Sequence, residues 1–220
     1  MNLFVGADEV GRGAWAGPLV VTAVAAASTW HLTGLNDSKK LSPAARQRLL
    51  PLLQPNRRDI TRPFSVSTVT LNPQQVDFYG IQVAVQKATE LALRYCLQEC
   101  FLYYHKVEKV YLDGNGTVAP DFLKQLDSWR VPYWSPPKAD SIYPVVMAAS
   151  VIAKEHRDSL MVESAKYFPD FGFEENKGYG TAAHQTALNA FGLTALHRRS
   201  FSPMSELVKP CADTSSTTNP

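Results

Sequence analysis

The chain has 220 residues, 45% of them hydrophobic and 10% aromatic, with a formal net charge of +2. That length and apolar content suit one globular domain with a sizeable core and exclude a disordered chain. The near-neutral balance excludes a polycation, so affinity for nucleic acid must come from local clusters such as Lys39 with Lys40, Arg46 with Arg48, Arg57 with Arg58, and Arg198 with Arg199.

Residues 3–8 predict a first strand, which runs straight into Asp8-Glu9-Val10-Gly11-Arg12-Gly13. Adjacent carboxylates on a strand face opposite sides of a sheet. Two acids followed at once by two glycines and an arginine combine hard oxygen ligands for a divalent cation with backbone that can approach a phosphodiester. A solvated turn is the plainer reading of such a run, and the rest of the chain argues against it.

Residues 17–27 predict a buried strand, and Asp37-Ser38-Lys39-Lys40 then supplies a basic turn. Ser42 is placed to cap a helix over 42–53, with Pro43 at its first position. Residues 51–63 hold three prolines and read as an exposed connection. A strand over 63–69 and a long helix over 72–105 follow, then a strand over 107–113 that ends on Asp113. A helix is predicted over 120–129 and a short strand over 131–135. Asp140 lies just ahead of a helix predicted over 143–168. Tyr179 sits between Gly178 and Gly180, with His184 soon after. Beyond Pro203 the apolar periodicity stops, so residues 1–204 are expected to form the domain and 205–220 a flexible tail. Strands followed by strand–helix alternation predict an α/β fold with a mixed sheet.

Three cysteines without framework spacing point to a reducing compartment, and Cys96 and Cys100 read as ordinary thiols. No apolar run reaches the roughly 18 residues of a membrane span. A soluble, cytoplasmic protein is expected.

Four carboxylates, Asp8, Glu9, Asp113 and Asp140, come from strand ends and a helix start that such a sheet can bring together. Their mutual repulsion raises their pKa values unless a cation relieves it. With no Cys or His in the set, the donors suit Mg²⁺ or Mn²⁺ better than Zn²⁺. Two such ions can activate water on one side of a phosphodiester and stabilise the leaving oxygen on the other.

In order and separation, five blocks resemble the type 2 ribonuclease H family, ribonuclease HII, over about residues 4–203. They are the Asp8 to Gly13 run, Asp37 to Lys40, the strand ending on Asp113, Lys138-Ala139-Asp140 with the helix carrying Ala148-Ala149-Ser150, and Asn176 to Thr181. The resemblance implies a ribonuclease H-like fold, a five-stranded mixed sheet flanked by helices with a C-terminal helical portion. It favours type 2 over type 3 enzymes, which carry a separate substrate-binding domain ahead of the acidic motif. It implies an endoribonuclease that hydrolyses the RNA strand of RNA/DNA hybrids and cuts 5′ of single ribonucleotides embedded in duplex DNA, by two-metal-ion catalysis, leaving 3′-hydroxyl and 5′-phosphate ends. Another metal-dependent nuclease on the same fold is the alternative.

By the same resemblance Asp8, Glu9, Asp113 and Asp140 match the catalytic metal ligands, with Mn²⁺ or Mg²⁺ as cofactor. Gly11, Arg12 and Gly13 match the loop that reads the 2′-hydroxyl, and Tyr179 matches the tyrosine that packs on the sugar after the ribonucleotide. Lys39 is expected to touch a phosphate, as more weakly are Lys177, His184 and Arg198. The implied partners are RNA/DNA hybrid and ribonucleotide-containing duplex DNA, with no membrane and a monomeric chain. Two departures stand out. Trp15 could alter the substrate loop, and Ala139, where the family has glycine, could disturb the backbone at Asp140.

Overall fold

The computed structural model describes residues 1–103, 105–113 and 118–207. Five strands form one sheet in the order β3-β2-β1-β4-β5. They are β1 (Asn2–Val10), β2 (Leu19–Ala27), β3 (Ser65–Leu71), β4 (Lys106–Leu112) and β5 (Tyr133–Trp134). β1, β2 and β3 pair antiparallel, whereas β4 runs parallel to β1 and β5 parallel to β4. This is the mixed sheet anticipated from the residues, with β5 shortened to two.

Alternation along β1 divides the core. Leu3, Val5 and Ala7 point to one face, where they pack with Ala88, Ala92, Cys96 and Cys100 of α3 (Ile81–Leu102). Phe4 packs on the other face, against a cluster that includes Val145, Val146 and Ala149 of α5 (Pro144–Ala165). Gly6 lies on this second face. A Cβ there would stand 2.7 Å from the backbone nitrogen of Val146, so only glycine lets α5 come this close to β1. That approach sets Ser150, about one turn further along α5, beside the end of β1.

Smaller helices complete the layers: α1 (Pro43–Leu49), α2 (Pro73–Tyr79), α4 (Pro120–Ser128), α6 (Phe173–Asn176), α7 (Ala182–Phe191) and α8 (Met204–Leu207). Ser42 caps α1 by accepting from the Ala45 N–H, with Pro43 in the first turn. The single helix expected over 72–105 is a correction. It is two helices, broken at Gly80, whose φ of 71° and ψ of 149° leave the helical region. Asn72 and Gln75 form a reciprocal capping box at the start of α2. Of the expected tail, residues 205–207 continue a helical turn, and 208–220 lie outside the described residues, as do Gly114 and Asn115. Among the described residues no helix is long and apolar enough to cross a membrane.

Candidate active site

Because β1 and β4 are parallel, their carboxyl ends lie together. Ala7 pairs with Leu112, and the residues next along the two strands are Asp8 and Asp113. Neighbouring strands lie about 4.8 Å apart, so the fold sets these acids side by side. Asp140 joins them from a short 3₁₀ turn, Ala139–Ser141. The Ala139 N–H donates to Asp113 Oδ1 at 2.7 Å, which ties the two acids together. The doubt over Ala139 is resolved: the left-handed residue is Lys138, with φ of 62°, and Ala139 is buried in the turn.

Asp8 and Asp140 are buried, and Glu9 is largely so. Burial first, then the Glu9 charge, pushes the Asp8 carboxyl up to about 8; Asp113 and Asp140 add to the rise and a hydrogen bond with Ser150 opposes it. Glu9 is raised by burial, partly offset by Arg12, and Asp113 by burial and then Asp140. The Ser150 hydroxyl lies 2.8 Å from that of Ser38, so the turn carrying Lys39 is locked to α5. Asp37 caps this turn by accepting from the Lys39 N–H.

The Lys39 ammonium lies 3.5 Å from Asp140 Oδ2. Burial works against its charge, yet Asp140, Asp37 and Asp8 outweigh that and raise its pKa. Asp37, Lys39, Asp113, Lys138 and Asp140 line an open cleft of about 350 Å³. Among the described residues no group of three or more His, Cys, Asp or Glu is already arranged to grip an ion. The donor chemistry nevertheless fits a hard divalent cation: the acids are oxygen-only and crowded, burial and then neighbouring carboxylates disfavour the charged form of Asp8, and a lysine is the counter-charge at Asp140.

This electrostatic arrangement has a measurable consequence. An unfolded aspartate titrates near ~3.9, and folded Asp8 near about 8. Between these values the folded state holds a proton that the unfolded chain has lost, so stability falls as pH rises and levels off above the folded value. His197, pushed down to about 4 by burial and then by His184, has the opposite slope, confined below its ordinary pKa of 6.5. In chelator, the melting temperature is therefore expected to decline from about pH 6.5 to 8, and Asp8→Asn should flatten that decline. An unchanged slope in the variant would assign the titration to another group.

Gly11, Arg12 and Gly13 follow β1 as a loop. Gly11 has φ of 89°, and a Cβ there would meet Arg157 Nε at 2.3 Å, so its conformation and surroundings both demand glycine. Arg12 reaches Glu9 at 3.5 Å and donates to Gln82 Oε1 at 2.7 Å. Gly13 is exposed, with open space where a Cβ would stand.

Two arginines hold this loop from below. Arg157, fully buried on α5, donates to the carbonyls of Pro18 at 2.8 Å, Lys177 at 2.9 Å and Ala16 at 3.1 Å. Arg198 was expected at a phosphate, and this is a second correction. It is fully buried and donates to the carbonyls of Gly17 at 3.1 Å and Arg12 at 3.2 Å, with no hydrogen-bond partner for Nη2 among the described residues. With the Arg12 carbonyl drawn inward, the Gly13 N–H of the same planar trans peptide points the opposite way, away from Arg198.

Tyr179 is half-buried in the turn after α6, its ring 5.3 Å from the Arg157 guanidinium. Its flanking glycines serve packing: a Cβ on Gly178 would strike the Ala16 carbonyl and one on Gly180 the Trp15 ring. Trp15 is thus bound to the tyrosine turn, its backbone N–H also donating to the Gly178 carbonyl at 2.8 Å. His184 is buried rather than available to a phosphate. Its Nδ1 lies 3.0 Å from the Tyr179 carbonyl and its Nε2 3.1 Å from His197 Nε2, while His197 Nδ1 accepts from the Thr194 N–H at 2.9 Å. Only one pair of neutral tautomers satisfies this chain: His197 Nε2–H donates to His184 Nε2, and His184 Nδ1–H to Tyr179. Lys177 is half-buried and donates to the Glu174 carbonyl. Sequence reasoning overlooked Arg157 and His197, and it placed Ser38 and Ser150 in the motif blocks without giving them the role of joining the Lys39 turn to α5.

The comparisons with known proteins agree with this architecture. A sequence profile described as Ribonuclease HII matches residues 5–204. The chain is 39% identical to a Ribonuclease HII of Novosphingobium aromaticivorans over 92% of its length and 97% of that protein. It is 36% identical to a Ribonuclease HII of Hyphomonas neptunium over 95% and 98%. Its fold resembles the crystal structure of the ribonuclease H2 from Pyrococcus horikoshii OT3, with a TM-score of 0.70 and 22% identity over 93% of this chain and 96% of that one. On the strength of a match that spans the acidic site, the glycine loop and the tyrosine turn alike, the chain belongs to the ribonuclease HII family.

Proposed function

We propose that this chain is a metal-dependent endoribonuclease that hydrolyses the RNA strand of RNA/DNA hybrids and cuts 5′ of a single ribonucleotide in duplex DNA, leaving 3′-hydroxyl and 5′-phosphate ends. The observation that carries the reading is the buried carboxylate cluster, with Asp8 held at about 8, beside an exposed glycine loop in a chain of this family. Asp8, Glu9, Asp113 and Asp140 would hold Mg²⁺ or Mn²⁺, which when bound supplies Lewis acidity for water activation and charge neutralisation at the leaving oxygen.

The chain's own residues do the positioning. Lys39 balances Asp140 in the free protein and, on the open rim, is free to turn to a phosphate when the acids gain another counter-charge. The outward Gly13 N–H and the unobstructed surface around it suit a 2′-hydroxyl, which both donates and accepts hydrogen bonds. Glu9 and Gln82 hold Arg12 at the edge of the same loop. The Tyr179 ring, fastened through its backbone to His184, suits the sugar that follows the ribonucleotide. Residues 1–204 act as one catalytic unit in this reading, in excision of misincorporated ribonucleotides and removal of hybrid RNA.

The tyrosine assignment distinguishes substrates. A ring packed on a nucleotide contributes roughly 1 to 3 kcal/mol, with sugar packing toward the low end. Tyr179→Ala should damage cleavage at a lone ribonucleotide about tenfold more than cleavage within a long hybrid, where every sugar of the cut strand offers a 2′-hydroxyl. Steady-state rates on the two labelled duplexes check this, and equal losses would make Tyr179 a structural residue.

A further inference from the structure

Phe78 is 82% exposed, more than any other large hydrophobic side chain among the described residues, and Tyr79 beside it is also exposed. An isolated surface phenylalanine needs no explanation, but the position of this one does. β3 pairs with β2 so that Leu71 lies opposite Leu19, which puts the end of β3 at the sheet end where Asp8 and Asp113 lie. The corner between α2 and α3 is therefore built at the active-site end.

That corner is fixed to the substrate loop from two sides. On one side Gln82 accepts from Arg12 at 2.7 Å. On the other, Asp77 accepts from the N–H groups of Arg199 at 2.8 Å and Ser200 at 3.0 Å, next to the Arg198 that holds the Arg12 carbonyl. Between these anchors the chain breaks at Gly80 and presents Phe78 to solvent. Cations attach to the residues on either side of it: exposed Arg12 is bonded to Gln82, exposed Arg199 is held through its backbone by Asp77, and the Lys87 ammonium lies 5.1 Å from the Tyr79 ring. An apolar platform flanked by Arg12, Lys87 and Arg199 and tied to the Gly11 to Gly13 loop matches a polyanion with flat bases and sugars better than it matches an apolar protein surface.

We propose that Phe78, at the tip of the α2–α3 corner, is a further nucleic-acid contact that packs on a sugar or base of the duplex as it runs past the Gly11 to Gly13 loop. The inference rests on the nuclease reading for its substrate, and the test separates the two. Phe78→Ala and Phe78→Trp are compared with the unmodified chain in two assays: fluorescence anisotropy with a labelled duplex carrying one ribonucleotide in chelator, and steady-state cleavage of the same duplex in Mg²⁺. Loss of the platform should weaken binding and raise KM about tenfold, with kcat within about twofold, the tryptophan variant should retain affinity, and melting temperatures should be unchanged. Binding and KM within about twofold of the unmodified chain in Phe78→Ala would overturn the proposal. So would a dimer of the unmodified chain that Phe78→Ala dissociates in sedimentation, since the corner would then be a self-interface. If the unmodified chain binds in a Phe78-dependent manner yet does not cleave, the nuclease reading fails and the contact stands.

Discussion

Asp113→Asn is expected to lower the cleavage rate by about 10² or more while leaving the protein folded. The substitution keeps the side-chain oxygen that accepts the Ala139 N–H, so the turn carrying Asp140 stays in place. What it removes is one negative charge from a set of four. If charge neutralisation around the phosphodiester contributes several kcal/mol, each 1.36 kcal/mol lost costs tenfold, and a loss of about 3 kcal/mol gives the stated factor. The free protein should be no less stable than the unmodified chain, because the Asp113 carboxyl is raised by burial and by Asp140, and its loss relieves both. Single-turnover rates at saturating Mg²⁺ check the first expectation, and chelator melts the second. Near-normal cleavage would remove Asp113 from the catalytic set.

The second large effect is structural. Arg157→Ala is expected to destabilise the chain by about 4 kcal/mol, since it deprives three carbonyls of charged donors worth roughly 1.5 to 3 kcal/mol each, with partial relaxation. For a chain of this size that lowers the melting temperature by on the order of 10 °C. Arg157→Lys should recover little, because one ammonium cannot span the carbonyls of Ala16, Pro18 and Lys177 as a planar guanidinium does. A shift of less than about 2 °C for the alanine variant would mean that Arg198 and the Trp15 contacts hold the loop without Arg157.

Sequence reasoning reached the parts of the molecule whose logic is local. The alternation of β1, the cap at Ser42 and the acids at strand ends are readable because each depends on neighbours along the chain. The break at Gly80 was hidden, since apolar spacing continues on both sides of it and one glycine within a helical pattern is tolerated. Arg198 was misplaced for a different reason. Arginine is normally solvated, and its burial here is possible only because carbonyls of Arg12 and Gly17, far away in sequence, converge on it. His184 and His197 likewise have a purpose only as a pair, which no spacing rule reveals. At Ala139 the concern fell one residue off, because Lys138 takes the left-handed conformation instead.

The most direct test of the central claim is digestion of a labelled duplex that carries one ribonucleotide, beside an all-DNA duplex of the same sequence, with Mg²⁺, with Mn²⁺ and with chelator. The account predicts a single cut on the 5′ side of the ribonucleotide that requires a divalent ion, with the all-DNA strand left intact. Cutting of the all-DNA duplex at a comparable rate, or cutting that persists in chelator, would contradict it.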